Sequence, residues 1–235
     1  MIKDLKKELK ERSDPGRRVV AMRYFKTGHG EYGEGDVFIG LAVPDVRRVA
    51  KAYKEMSLET VEKLLQSKIH EERLAGLFIL IHQFEKATPK EQRDIYNLYM
   101  RNTHQVNNWD LVDLSAPKIV GPYLWQRKRA PLRRLIKSKN MWDRRIAILA
   151  TFYFISKGEA EDALEMARAA INDKEDLIHK AGGWMLREVG SRVSMQEERD
   201  FLNEYAPLMP RVMLRYAIEK MPIKERKKYL SMKRA

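Results

Sequence analysis

The chain contains no cysteine in 235 residues. That excludes disulfides, thiol nucleophiles and cysteine-ligated zinc or iron–sulfur centres. It has no stretch of about 18 apolar residues, the length a membrane-spanning helix needs, so no membrane partner is expected. The opening MIKDLKKELKER has no apolar core and does not read as a secretory signal, which makes a cytoplasmic protein the expectation. Strand signals are scarce, and the β-prone Thr151-Phe152-Tyr153-Phe154-Ile155 only continues a helical run from Trp142. Five histidines (His29, His70, His82, His104, His179) are scattered without metal-ligand spacing, so neither a metal nor a cofactor is expected. No P-loop or GxSxG occurs. Gly28-His29-Gly30-Glu31-Tyr32-Gly33 matches GxGxxG, but it follows a helical segment and lacks a βαβ context, so it reads as a glycine loop.

What the chain has in excess is positive charge. Forty-six Lys and Arg against 33 Asp and Glu give a formal net charge of +13 and a pI near 9.7. Such a balance points to an acidic polymer or an anionic membrane surface, and is also what general solubility or an ion-pair-rich surface produces. Hydrophobic content of 44% marks a folded chain rather than a disordered tail. Two runs concentrate the charge: Arg127 to Arg145 holds nine cations and one acid, and Lys220 to Arg234 holds seven and one. Each reads by itself as a solvated face. Two of them bordering a groove would form a phosphate track driven by counterion release.

The helix signals are strong. Asp14-Pro15 supplies an N-cap and a first-turn proline for a helix over Gly16 to Lys26. Val43-Pro44 opens another through about Glu55, and Thr88-Pro89-Lys90-Glu91 is a capping box. A repeat is visible in the pattern basic, any, small or aliphatic, any, apolar: Arg73 to Leu77, Arg145 to Leu149, Lys180 to Trp184 and, loosely, Arg215 to Glu219. The starting residues lie 72, 35 and 35 apart, so the double step needs a unit near 110, where Trp109-Asp110-Leu111-Val112-Asp113 stands. A period near 35 reads as an all-α, HEAT-like helical-repeat solenoid, curved, with a basic concave groove lined by equivalent faces of the second helices. One domain over 1–235 is expected, with N-terminal helices over 1–56 and repeats over 57–235. Trp125 and Trp142 read as core.

The unit near 110 carries acids where its neighbours carry a base. Trp109 and Asp113 are four apart and share a helical face; Lys180, Trp184 and Arg187 share another by the same rule. Indoles and a carboxylate stabilise a cation, while lysine and arginine hold phosphates. The mixture suits a cationic reaction centre on a polyanion.

These residues resemble the DNA alkylation repair family, and within it the AlkD-type alkylpurine DNA glycosylases. Four stretches carry the resemblance: Met22 to Lys26, Phe38 to Arg48, Trp109 to Asp113, and Trp142 to Leu149 together with Lys180 to Glu188. Nearly the whole chain matches in order. Asn108 departs from the pattern, standing where many members have an aromatic. The resemblance implies hydrolysis of the N-glycosidic bond of cationic N3- and N7-alkylated purines in double-stranded DNA, from the sugar–phosphate side and without base flipping. It implies that Asp113, Trp109 and Trp184 form the catalytic site and that Arg145 holds the DNA backbone, with Tyr24, Lys180 and Arg187 also on DNA. A prokaryotic-type, nucleoid-associated protein with no obligate protein partner follows.

The chemistry agrees with the residues. An alkylated cationic purine leaves as a neutral base, so no general acid is needed, and the barrier lies in an oxocarbenium-like sugar. Two other readings stay open. One is a non-catalytic HEAT-repeat module binding DNA or RNA structures, which would gain nothing from Asp113. The other is a protein-binding HEAT scaffold, which predicts an apolar or acidic groove.

Overall fold

The computed structural model describes residues 1–232, and among these the chain is all-α. Fourteen α-helices and two short 3-10 turns form, and the only β feature among the described residues is an isolated bridge between Val37 and Ile69. Lys233 and Arg234, the end of the second basic run, lie outside the described residues. By its contacts the chain divides into two compact units, Met1–Ser115 and Ala116–Ala235.

The first unit contains α1 (Ile2–Glu11), α2 (Pro15–Tyr24), α3 (Val43–Ala52), α4 (Leu58–Leu65), α5 (His70–Phe84), α6 (Pro89–Arg101) and the start of α7 (Trp109–Leu124). The expected caps are present. Asp14 accepts the Arg17 N–H at 3.0 Å, and Thr88 and Glu91 complete the capping box. The second helix ends at Tyr24 rather than Lys26, because Lys26 adopts a left-handed φ of 50°. The core element is α5. Apolar on nearly every side, it is buried at 13 of its 15 positions and packs against α1, α3, α4 and α6.

The loop between α2 and α3 is tied to this core. The buried carboxylate of Glu71 accepts the backbone N–H groups of Ile39, Gly40 and Leu41 at 3.0, 2.8 and 3.2 Å. Gly40 has a φ of +87°, and a Cβ there would stand 2.2 Å from the Asp14 carbonyl oxygen. This close approach anchors the entry to α2, as does the Asp14 N–H donated to the Ile39 carbonyl at 3.1 Å. Beyond that anchor α2 has no buried residue, and Val19, Val20 and Tyr24 are exposed.

The second unit contains the rest of α7 and α8 (Ala130–Leu135), α9 (Met141–Ile155), α10 (Glu161–Ala170), α11 (Asp176–Arg192), α12 (Met195–Tyr205), α13 (Arg211–Ala217) and α14 (Ile223–Ser231). Here α9 packs on α8 and α10, and α11 packs on α9, α10, α12 and α13. Arg145, Lys180 and Arg215 lie on α9, α11 and α13, so the 35-residue step is the step between successive packed second helices. The double step is corrected by one residue. Arg73 reaches back to the Ser67 carbonyl, Arg144 to the Ser138 carbonyl and His179 to the Asp173 carbonyl, each over six residues. Ser67 also bonds Glu72 as Ser138 bonds Asp143. Arg73 is therefore in register with Arg144 and His179, whereas Arg145 and Lys180 are in register with each other.

The α11–α13 contact depends on Gly183. A Cβ there would meet the Met213 carbonyl oxygen at 2.3 Å and the Tyr216 Cβ at 2.7 Å. Alanine gains about 1 kcal/mol of helix propensity over glycine. Overpacking against a neighbouring backbone costs roughly 1–3 kcal/mol. The backbone carbonyl cannot rotate aside, so the clash wins. Gly183→Ala is expected to lower the urea midpoint, with a net loss of up to about 2 kcal/mol of stability; an unchanged or raised midpoint would show that α13 shifts freely.

Candidate active site

The start of α7 gathers an aromatic face. Trp109 is half-buried, and its indole stacks on Phe25 with ring centroids 5.1 Å apart and planes 18° apart. Tyr24 meets the same indole edge-on at 5.6 Å while remaining 64% exposed. Phe25 stacks in turn on Phe38 at 4.9 Å. Asp113 lies one turn further along the helix, also half-buried. The spacing thus puts an indole and a carboxylate on consecutive turns of one helix, with Tyr24 brought to the indole from α2. Asn108, where the resemblance called for an aromatic, is fully buried. Its side-chain oxygen accepts the Trp109 N–H at 2.8 Å, so it acts on the backbone at the helix start.

The other candidates belong to the second unit. Trp184 is half-buried on α11, donates its indole N–H to Glu188 at 3.2 Å and lies 6.2 Å from the Phe152 ring. Arg187 pairs with Glu219 and, at 3.6 Å, with Glu188. Lys180 pairs with Asp176 at 2.6 Å. Arg145 is only 5% exposed, and its guanidinium donates to the Leu177 carbonyl. The basic run from Arg127 is likewise partly committed. Arg129 pairs with Glu159 and Asp162, Arg133 with Glu165 and Arg144 with Asp173, leaving Lys128, Arg134, Lys137 and Lys139 exposed along it. Trp142 is core, as its position suggested. Trp125 is only half-buried, with its N–H on Glu159 and Lys157 over its ring. The GxGxxG match is a loop of turns, closed by Glu31 on the Gly28 N–H and Glu34 on the Gly30 N–H.

Sequence reasoning passed over a buried polar cluster behind Trp109. His70 bonds Asp36 through Nδ1 and Asp110 through Nε2, both at 2.8 Å. Arg73, expected on a groove wall, bonds Asp36 at 2.7 Å and Asn107 at 3.0 Å. The available signal was His70-Glu71-Glu72-Arg73, four ionisable residues opening an otherwise apolar helix. Charges at that density on a buried element must be paired. Burial disfavours the His70 cation, but the charge and hydrogen bond of Asp110, and then of Asp36, outweigh it and raise its pKa to about 9. Asp36 is lowered: burial would raise it, but the His70 and Arg73 contacts prevail.

A family model described as DNA alkylation repair enzyme matches residues 5–221. The chain belongs to the DNA alkylation repair enzyme family. It is similar to a solved structure described as a predicted DNA alkylation repair enzyme from Enterococcus faecalis, with a TM-score of 0.69 and 16% identity. That likeness covers 90% of this chain and 97% of the other. At that identity the two share a fold. A comparison with curated proteins gave no match. No helix among the described residues is long and apolar enough to cross a membrane.

Two buried groups carry the pH dependence of stability between about pH 6.5 and 9, above the range where lowered carboxylates such as Asp36 and Asp173 titrate. His70 has a folded pKa of about 9 against an ordinary 6.5, so its contribution is full below pH 6.5 and lost as pH climbs to 9. Burial pushes Glu198 up to about 8, against the pull of Arg199 and Arg187. The unfolded chain ionises this acid first, so stability is lost from about pH 4.5 to 8. Both act in one direction. The urea midpoint is expected to fall steadily from pH 6.5 to 9, and Glu198→Gln to exceed wild type above pH 8 while keeping the His70 part of the slope. A flat profile would contradict both assignments.

Proposed function

We propose that this protein is a monofunctional DNA glycosylase that hydrolyses the N-glycosidic bond of cationic N3- and N7-alkylated purines in duplex DNA. The observation that carries the reading is a half-buried indole, backed by Phe25, one helical turn from Asp113, in a chain of the DNA alkylation repair enzyme family. A basic phosphate binder gains nothing from a carboxylate placed there. A glycosylase whose leaving group is already charged needs one.

On this reading the alkylated purine departs with the electron pair of the glycosidic bond and becomes neutral, so no side chain must protonate it. Asp113 faces the oxocarbenium that develops on the sugar, stabilises its charge and orients the attacking water. Trp109 and Trp184 offer indole faces to the cation, each contributing roughly 0.5–2 kcal/mol when desolvated. The lesion is approached from the sugar–phosphate side without base flipping. Tyr24 sits against the sugar beside Trp109, while Arg145, Lys180 and Arg187 hold backbone phosphates. Lys180 exchanges Asp176 for a phosphate when DNA binds.

The deciding experiment is single-turnover release of 7-methylguanine or 3-methyladenine from methylated duplex DNA. Wild type is expected to release both and to leave uracil and 1,N6-ethenoadenine in place, because those neutral bases need protonation to depart. Asp113→Asn should lose about 100-fold or more in rate, the scale of a transition-state charge partner, with DNA affinity and melting temperature near wild type. Full activity in that variant removes Asp113 from the chemistry; binding without any release favours the non-catalytic module.

Phosphate contacts are read from salt. Removing Lys180 or Arg145 should weaken binding to damaged and undamaged duplexes alike and make the log K against log salt slope shallower by about one unit per contact. An unchanged slope in both variants places them off the DNA.

A further inference from the structure

The polar cluster behind Trp109 holds His70 between two carboxylates. Each ring nitrogen of His70 lies 2.8 Å from a carboxylate oxygen, Nδ1 from Asp36 and Nε2 from Asp110. An ionised carboxylate only accepts, so both nitrogens must donate, and only the imidazolium carries both N–H groups. His70 is 1% exposed, and both carboxylates are buried with it. Arg73 supplies the second cation, on the other oxygen of Asp36. Two cations then balance two anions, and loss of the ring proton would leave two buried carboxylates sharing one guanidinium.

Among the described residues, the charged groups bonded to the ring are Asp36 and Asp110. The loop before α3 contributes Asp36 and Phe38, α7 contributes Asp110, and the end of α2 contributes Phe25. On α5 itself, Glu71 is taken up by the amides of 39–41 and Glu72 by Ser67 and Lys6.

From this ring two routes lead to the candidate site. The polar route runs through Asp110, whose other oxygen accepts the Leu111 N–H at 2.8 Å in the first turn of α7. The apolar route runs through the rings. Phe38 stacks on His70 at 4.2 Å, Phe25 lies 5.3 Å from it, and Phe25 stacks on the Trp109 indole. The first turn of α7, through Asp110, and the Trp109 indole, through Phe25, are thus each one side chain removed from His70.

We propose that His70 is a positioning residue, an imidazolium clamped between Asp36 and Asp110 that sets the first turn of α7 and thereby aims Trp109 and Asp113 at the lesion. The proposal rests on the glycosylase reading above. It adds an alkaline limit to a reaction that has no general acid of its own. Excision should be flat from pH 6 to about 8.5 and fall above about 9, where the clamp loses its proton.

The test compares wild type, Asp110→Asn, His70→Gln and Asp113→Asn in single-turnover excision of 7-methylguanine from pH 6 to 10, with DNA affinity measured at each pH. Asp110→Asn removes one carboxylate from the ring and should move the alkaline fall down by about one pH unit or more. His70→Gln should be slower by about 10- to 100-fold with no alkaline fall, the size of a misaligned site, and with affinity within about threefold. Asp113→Asn should stay about 100-fold or more below wild type at every pH. At a temperature where every variant stays folded across the range, a residue that only stabilises the fold would leave the alkaline limb unmoved, so an Asp110→Asn profile superimposable on wild type overturns the proposal. Imidazole and indole nitrogen spectra of wild type give a readout independent of folding in the variants and of activity. Doubly protonated His70 at pH 7.5, with the Trp109 indole signal tracking its titration, supports the clamp; a neutral ring or an untracked indole overturns it. Absence of base release by wild type sinks the glycosylase reading instead, and the spectra still decide whether His70 sets Trp109.

Discussion

An imidazolium held between two buried carboxylates is the constraint on which the start of α7 depends. Burial alone would neutralise the ring, and a single carboxylate would leave one N–H without a partner. With Asp36 on one side, Asp110 on the other and Arg73 behind, the charges cancel and each short contact is a charge-assisted hydrogen bond. This arrangement joins the loop before α3, the head of α5 and the head of α7, which are far apart in sequence. Removing one member leaves the others buried and uncompensated, so the cluster behaves as a unit.

The same economy governs the neighbouring loop. Glu71 adjoins His70 in sequence but turns its carboxylate to three successive backbone amides, which would otherwise be buried without acceptors. The four charged residues that open α5 thus divide their work. Two fix the entry to α7, one fixes the loop after α2, and Glu72 closes on Ser67 and Lys6. None of them reaches the surface, whereas Lys128, Arg134, Lys137 and Lys139 are exposed.

The all-α class, most helix starts and the 35-residue step were legible, because capping residues and apolar periodicity are local signals. That Trp109 and Asp113 stand on consecutive turns of one helix was legible through helical spacing, while Tyr24 was named by the family resemblance and lies against the indole. The error of register between Arg73 and Arg145 arose because adjacent arginines at 144 and 145 both satisfy a basic-then-apolar pattern. Only the reach of a side chain back to a carbonyl six residues earlier separates them. His70 was missed for a different reason. Its partners are 34 residues before it and 40 after it, and a histidine without metal-ligand spacing announces nothing until those carboxylates are brought to its ring. Arg129 and Arg133 read as groove cations because pairing with acids some 30 residues away leaves no trace in local composition.

The second helix has a consequence of its own. It is fastened at its N-terminal end, through Asp14, Gly40 and the Glu71-bound loop, and buries no residue along its length. Little apolar surface opposes its local opening, so its free energy of unfolding lies well below that of the α5 core, and its amides exchange with solvent on their own schedule. Tyr24 ends it, and Phe25, just past it, is held in the stack with Phe38 and Trp109. Each opening therefore uncovers the Tyr24 side of the Trp109 indole while Phe25 and the imidazolium beneath stay in place. One wall of the aromatic site is a hinged leaf, and the other is fixed masonry.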